Sequence, residues 1–170
     1  MKLNLKRFAQ EPGAVLPFDF ELDLAQVEWY GLRPFTRPVH VEGRVRNMAG
    51  AMLLSARLST VLSLVCDRCA KSFEREKTVE YETLLAFELE NGEDGDIVLL
   101  DADGTLELDE LMQEEFLLEM DTKNLCSEDC KGLCPGCGAD LNRESCRCKK
   151  EIDPRLAKLA QLLEDRESNE

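Results

Sequence analysis

The chain has 170 residues, 44% of them hydrophobic and 33% charged, with a formal net charge of −14. That length suits one ordinary domain with its own core, and no apolar run approaches the roughly 18–20 residues that cross a bilayer as a helix. The opening residues Met1 to Arg7 lack the apolar stretch and small-residue cleavage site of an export signal. The expectation is therefore a cytoplasmic protein whose eight cysteines serve metal or redox chemistry rather than a disulfide framework.

Charge is segregated along the chain. Residues 31–77 carry an excess of bases, whereas sixteen acids and no base fall between Thr78 and Asp121. Such a block reads as a solvated sheet edge plus linker, or as an acidic face that meets a basic partner.

The first 35 residues are ambiguous in pattern. Phe18 to Leu24 alternates apolar and charged residues as a half-buried strand does, between loops marked by Pro12, Gly13, Pro17, Gly31 and Pro34. Val39 to Arg46 and Leu53 to Val65 predict two strands with a turn at 47–51, and Phe73 to Leu89 predicts a third. They suggest an antiparallel meander with a Cys-x-x-Cys turn, Cys66-Asp67-Arg68-Cys69, between the second and third strands. Asn91 to Asp96 reads as a loop and Ile97 to Leu100 as a short strand. Asp101-Ala102-Asp103-Gly104 reads as a plain turn, because the glycine and the twelfth residue, Met112, stand wrongly for a calcium loop. Leu108 to Met120 has helical spacing, with Asp109 and Glu110 in its first turn. A last helix, from Asp153 and Pro154 to about Asp165, carries Leu156, Leu159, Leu162 and Leu163 on one stripe. The fold class expected is α+β: an antiparallel β meander with a few helices and a C-terminal cysteine-rich zinc segment. The expected organisation is a β-rich core over 1–121, a cysteine-rich segment over 122–150 and a terminal helix over 151–170.

The tail carries Cys126, Cys130, Cys134, Cys137, Cys146 and Cys148. Tetrahedral zinc takes four thiolates at about 2.3 Å. Cys134-Pro135-Gly136-Cys137-Gly138 has the composition of a zinc knuckle, and Cys146 and Cys148 supply a second pair. The remaining Cys66, Cys69, Cys126 and Cys130 make a second set of four, which would pin the tail to the strand turn. Pairing Cys66 and Cys69 with Cys134 and Cys137 satisfies the same count, as does a single zinc with four free thiols. An iron–sulfur cluster fits four cysteines less well than zinc fits a knuckle of this composition. A thioredoxin-like role for Cys66 and Cys69 lacks the helix start that would activate a thiol.

No enzymatic constellation emerges. His40 sits in a strand pattern as a surface residue, and no phosphate-binding glycine loop or Ser/His/Asp set is present. An all-cysteine zinc site leaves no position for a reactive water, so the metal expected here is structural. Bulk acidity opposes nonspecific nucleic-acid binding, yet bases cluster locally. Arg68 and Lys71 stand in and beside the first cysteine turn, and Arg143, Arg147, Lys149 and Lys150 surround the second. These six are the candidate contacts to RNA or a protein partner.

Cys66-Asp67-Arg68-Cys69 after a long strand, the acidic middle, Lys131-Gly132-Leu133-Cys134-Pro135, Asp140-Leu141-Asn142 and the closing Asp153-Pro154-Arg155-Leu156 together resemble the YceD family, the large ribosomal RNA subunit accumulation proteins. The resemblance implies a non-enzymatic bacterial factor needed for normal levels of large-subunit (23S) ribosomal RNA. Its implied partner is precursor large-subunit rRNA or a pre-ribosomal protein, with no membrane and no small-molecule substrate. The alternative is an adaptor whose acidic face docks a basic ribosomal protein or RNA-processing enzyme. A redox or metal sensor is a third reading.

Overall fold

The computed structural model describes residues 1–48, 51–88 and 97–148. The predicted C-terminal helix, the Asn91–Asp96 loop, Lys149 and Lys150 lie outside these residues, as does part of the 47–51 turn. The chain divides into two compact units: Met1–Asp67 with Lys71–Cys126, and Arg68–Ala70 with Ser127–Glu170.

The first unit is built on a five-stranded sheet. Its strands are β2 (Val15–Leu22), β3 (Val39–Asn47), β4 (Met52–Val65), β5 (Ser72–Ala86) and β6 (Ile97–Leu99), hydrogen-bonded in that order. The pairs from β2 to β5 are antiparallel, as alternation in the sequence suggests. β6 departs from the meander because it runs parallel to β5, with Leu84 opposite Ile97 and Ala86 opposite Leu99. A second sheet pairs β1 (Lys2–Asn4) with β7 (Thr105–Glu107).

The described residues hold one α-helix, α1 (Leu108–Leu118), and one 3-10 turn at Phe8–Gln10 rather than several helices. Asp109 and Glu110 in the first turn of α1 complement the helix dipole. Its buried face is Leu108, Met112 and Phe116, at spacings of four. The Phe116 ring meets Phe35 edge-on, centroids 5.8 Å apart at 63°.

Burial alternates along the strands with period two. Phe18, Val41, Val45, Leu54, Leu58, Val79 and Leu85 enter the core from one face of the sheet. The intervening Asp19, Glu42, Arg44, Arg57, Glu80 and Glu82 are exposed or half-exposed on the other. Asn47, a buried polar residue, donates from Nδ2 to the Phe8 carbonyl at 2.8 Å. The Asp101–Gly104 turn closes with the Gly104 amide on the Asp101 carbonyl at 2.7 Å, so the plain-turn expectation stands.

Gly43 leaves no room for a side chain in the sheet. A Cβ there would strike the Ser55 carbonyl oxygen and stand 2.5 Å from Cζ of Phe18. The first obstacle is neighbouring backbone and cannot rotate away. Gly43→Ala is expected to lower stability by about 1–3 kcal/mol in denaturant unfolding; an unchanged midpoint would contradict this packing.

Candidate metal centres

The two Cys-x-x-Cys turns have the same local architecture. In the first, the Cys66 amide donates to the carbonyl of Lys71 at 2.9 Å. In the second, the Cys134 amide donates to the carbonyl of Ala139, again five residues on, at 2.8 Å. Each turn is completed by a left-handed residue just after its second cysteine. Gly138 has φ 72° and Ala70 has φ 56°. Glycine adopts that conformation freely, whereas alanine there costs about 1 kcal/mol. The second turn sits on a bridge between Leu133 and Asp140, the first on the β4–β5 hairpin.

Within the first unit, Cys66 and Cys126 are approached by a reciprocal pair of hydrogen bonds. The Asp67 amide donates to the Asn124 carbonyl at 2.8 Å, and the Asn124 amide donates to Oδ2 of Asp67 at 2.6 Å. Within the second unit, Arg68 serves the stretch that holds Cys130. Its Nη1 donates to the Cys130 carbonyl at 2.7 Å, and its own carbonyl accepts from the Leu133 amide at 2.9 Å. Asn142 adds a link: Oδ1 accepts from the Lys131 amide at 2.7 Å, and Nδ2 donates toward Cys130 Sγ at 3.5 Å.

The eight cysteines gather as Cys66, Cys69, Cys126 and Cys130, and as Cys134, Cys137, Cys146 and Cys148. In each set the four sulfurs lie within 4.8 Å of one another. These are the sets that sequence spacing suggests, not the alternative pairing of Cys66 and Cys69 with Cys134 and Cys137. A tetrahedron of thiolates around zinc places sulfurs about 3.8 Å apart. In the second set, Cys134 Sγ stands 3.1 Å from Cys146 Sγ and 3.9 Å from Cys148 Sγ, and Cys137 Sγ stands 4.0 Å from Cys146 Sγ. Both sets can hold a metal ion.

Electrostatics within the second set favours a cation at its centre. The amide of Cys137, the thiol of Cys146 and the amide of Gly136 lower the Cys134 thiol from 9.0 to about 6. Hydrogen bonding to Cys134 raises Cys146. Hydrogen bonds to Cys137, Cys146 and Cys134 push Cys148 up to about 12. One thiolate thus forms at the expense of its neighbours. A dication among them reverses that balance and allows all four to ionise. Gly136 keeps the space open, since a Cβ there would stand 2.9 Å from Cys148 Sγ.

The sequence profile described as "Large ribosomal RNA subunit accumulation protein YceD" matches residues 54–163. The chain belongs to the YceD family. This YceD-family chain is similar to an uncharacterized protein of Mycobacterium tuberculosis, 26% identical over 178 residues covering 96% of this chain and 81% of the relative. The uncharacterized protein YlbN of Bacillus subtilis is 29% identical over 167 residues, 96% of each chain. A chloroplastic YCED homolog of Zea mays, described as a large ribosomal RNA subunit accumulation protein, is 29% identical over 150 residues, 70% of this chain and 51% of its own. No solved structure matches the chain significantly.

Among the six candidate contacts, Arg68 is engaged inside the fold through the Cys130 carbonyl, although the residue is exposed. Lys71 and Arg147 are exposed. Arg143, with its side chain 75% exposed, reaches Asp140 Oδ2 from Nε at 3.5 Å. Two further bases of the meander, Arg75 and Lys77, both contact the Asp121 carboxylate. Asn142 and the bracing role of Arg68 are the site features that composition and spacing do not disclose. No helix of the described residues is long and apolar enough to cross a membrane.

In metal-free protein, thiolate ultraviolet absorbance should show a first step near pH 6 that Cys134→Ser removes. The folded value lies below the unfolded one, so the stabilisation from this thiolate is complete above pH 9 and disappears as pH falls through about 6. A titration with no step below 8 would contradict this geometry.

Proposed function

We propose that this YceD-family chain is a non-enzymatic ribosome-biogenesis factor acting in the cytoplasm. It supports the synthesis, processing or stability of large-subunit (23S) rRNA by binding precursor RNA or the pre-ribosome. Family membership across residues 54–163, a span that contains all eight cysteines, is the observation that carries this reading.

The metal proposed for both cysteine sets is zinc in a structural role. Knuckles built on Cys-x-x-Cys turns suit tetrahedral zinc, and four thiolates fill the coordination sphere with no place for water or substrate. Cys66, Cys69, Cys126 and Cys130 hold one ion; Cys134, Cys137, Cys146 and Cys148 hold the other. When bound, zinc supplies four strong bonds to chain positions that have few apolar residues of their own. The chain's own contribution is to orient the sulfurs through the turn amides, Arg68 and Asn142.

Lys71, Arg143 and Arg147 are the exposed cations offered to phosphate, with Lys149 and Lys150 following in sequence. Phosphate contacts of this kind position RNA and make binding salt-dependent. Crosslinking of the tagged protein in cells, followed by sequencing of the attached RNA, is expected to enrich precursor large-subunit rRNA over bulk RNA. Arg143→Glu with Arg147→Glu should lower that enrichment severalfold and flatten its salt dependence. No enrichment over bulk RNA would discredit direct RNA binding and favour the protein adaptor.

A further inference from the structure

The open face of the five-stranded sheet is patterned in transverse rows. Strand register places Val15, Arg46, Leu53, Leu84 and Ile97 opposite one another in a single line from β2 to β6. All five share the face away from the core. Val15 is 50% exposed and Leu84 40% exposed, and Leu53 and Ile97 are half-buried. An antiparallel sheet with one wet face normally alternates apolar-in and polar-out. Four aliphatic residues on this line, with Arg46 between Val15 and Leu53, depart from that rule.

The next two rows are charged. Glu82 stands with Arg44 across Ser55, and Asp19, Glu42, Arg57 and Glu80 form the row beyond. Together they line an open concavity of about 820 Å³ on the first unit. Carboxylates outnumber guanidiniums there, which repels phosphate and attracts cationic side chains.

We infer that this face is a docking site for a basic amphipathic helix of a partner protein. The helix lays its apolar stripe on the Val15–Leu84–Ile97 row and places Lys or Arg over Asp19, Glu42, Glu80 and Glu82. Four interstrand spacings make the row about 19 Å long, which matches a helix of about 13 residues. The apolar row supplies the buried centre of the contact, and the acidic rows set polarity and partner choice. None of its residues belongs to the cysteine sets, and the inference does not rest on RNA binding by the knuckles.

The test is fluorescence anisotropy of a labelled synthetic peptide of about 15 residues, with Leu at helical spacing and Lys on the flanks, titrated with the full chain. Leu84→Glu and, separately, the pair Glu80→Lys and Glu82→Lys should each weaken binding at least about tenfold. The pair Glu110→Lys and Glu114→Lys on α1 makes the same change in net charge away from the face and should alter binding less than about twofold. Val15→Glu replaces Leu84→Glu if circular dichroism shows that variant unfolded. Four results would overturn the inference: no binding by wild type, equal losses from the two charge-reversal pairs, no loss from the variants of the apolar row, or displacement of the peptide by single-stranded RNA. A wild-type dimer in sedimentation that Leu84→Glu separates would assign the face to a second copy and overturn it too.

Discussion

Four thiols packed within hydrogen-bonding reach cannot all ionise without a positive charge between them. In the set formed by Cys134, Cys137, Cys146 and Cys148, the thiol of Cys134 falls to about 6 while that of Cys148 rises to about 12. The local fold around this cluster keeps its sulfurs gathered. Turn amides aim at Cys134, and Gly136 leaves space beside Cys148. A bound metal ion would add ligand bonds to these local contacts.

The turn at Cys66–Cys69 repeats that architecture in a different setting. It caps the longest hairpin of the sheet, where β4 and β5 pair over fourteen positions from Met52–Leu85 to Val65–Ser72. Its left-handed residue is Ala70, so this turn retains a strained position where the other uses glycine. Arg68, between the two cysteines, spends its guanidinium on the Cys130 carbonyl. Cys66 and Cys130 are themselves buried, so backbone groups and the Arg68 side chain support sulfurs that are shielded from solvent.

Much of the sheet was legible in the sequence because its strands are long and one-sided. Val39, Val41 and Val45, then Leu54, Ala56 and Leu58, alternate cleanly with polar residues, and all six are buried. The pairing of β1 with β7 and the parallel addition of β6 were not legible. Each of those strands has three residues, too few for a period, and their partners are remote in sequence or parallel. Local spacing pointed to Cys134, Cys137, Cys146 and Cys148, whereas the grouping of Cys66 and Cys69 with Cys126 and Cys130, more than fifty residues apart in the chain, was reached only as the remaining four and left other pairings open. The role of Arg68 was hidden for the opposite reason: sequence gives a charge but not the direction in which a flexible side chain points. Arg75 and Lys77 teach the same lesson, since Asp121, forty-four residues or more away in the chain, contacts both.

Two independent four-thiolate zinc centres are proposed for the eight cysteines. Metal analysis of anaerobically purified protein, alongside Cys69→Ser and Cys137→Ser, tests this proposal most directly. Two independent centres predict about two zinc equivalents in the parent chain and about one in each variant. Less than half an equivalent in the parent, or loss of all zinc from both variants, would contradict it.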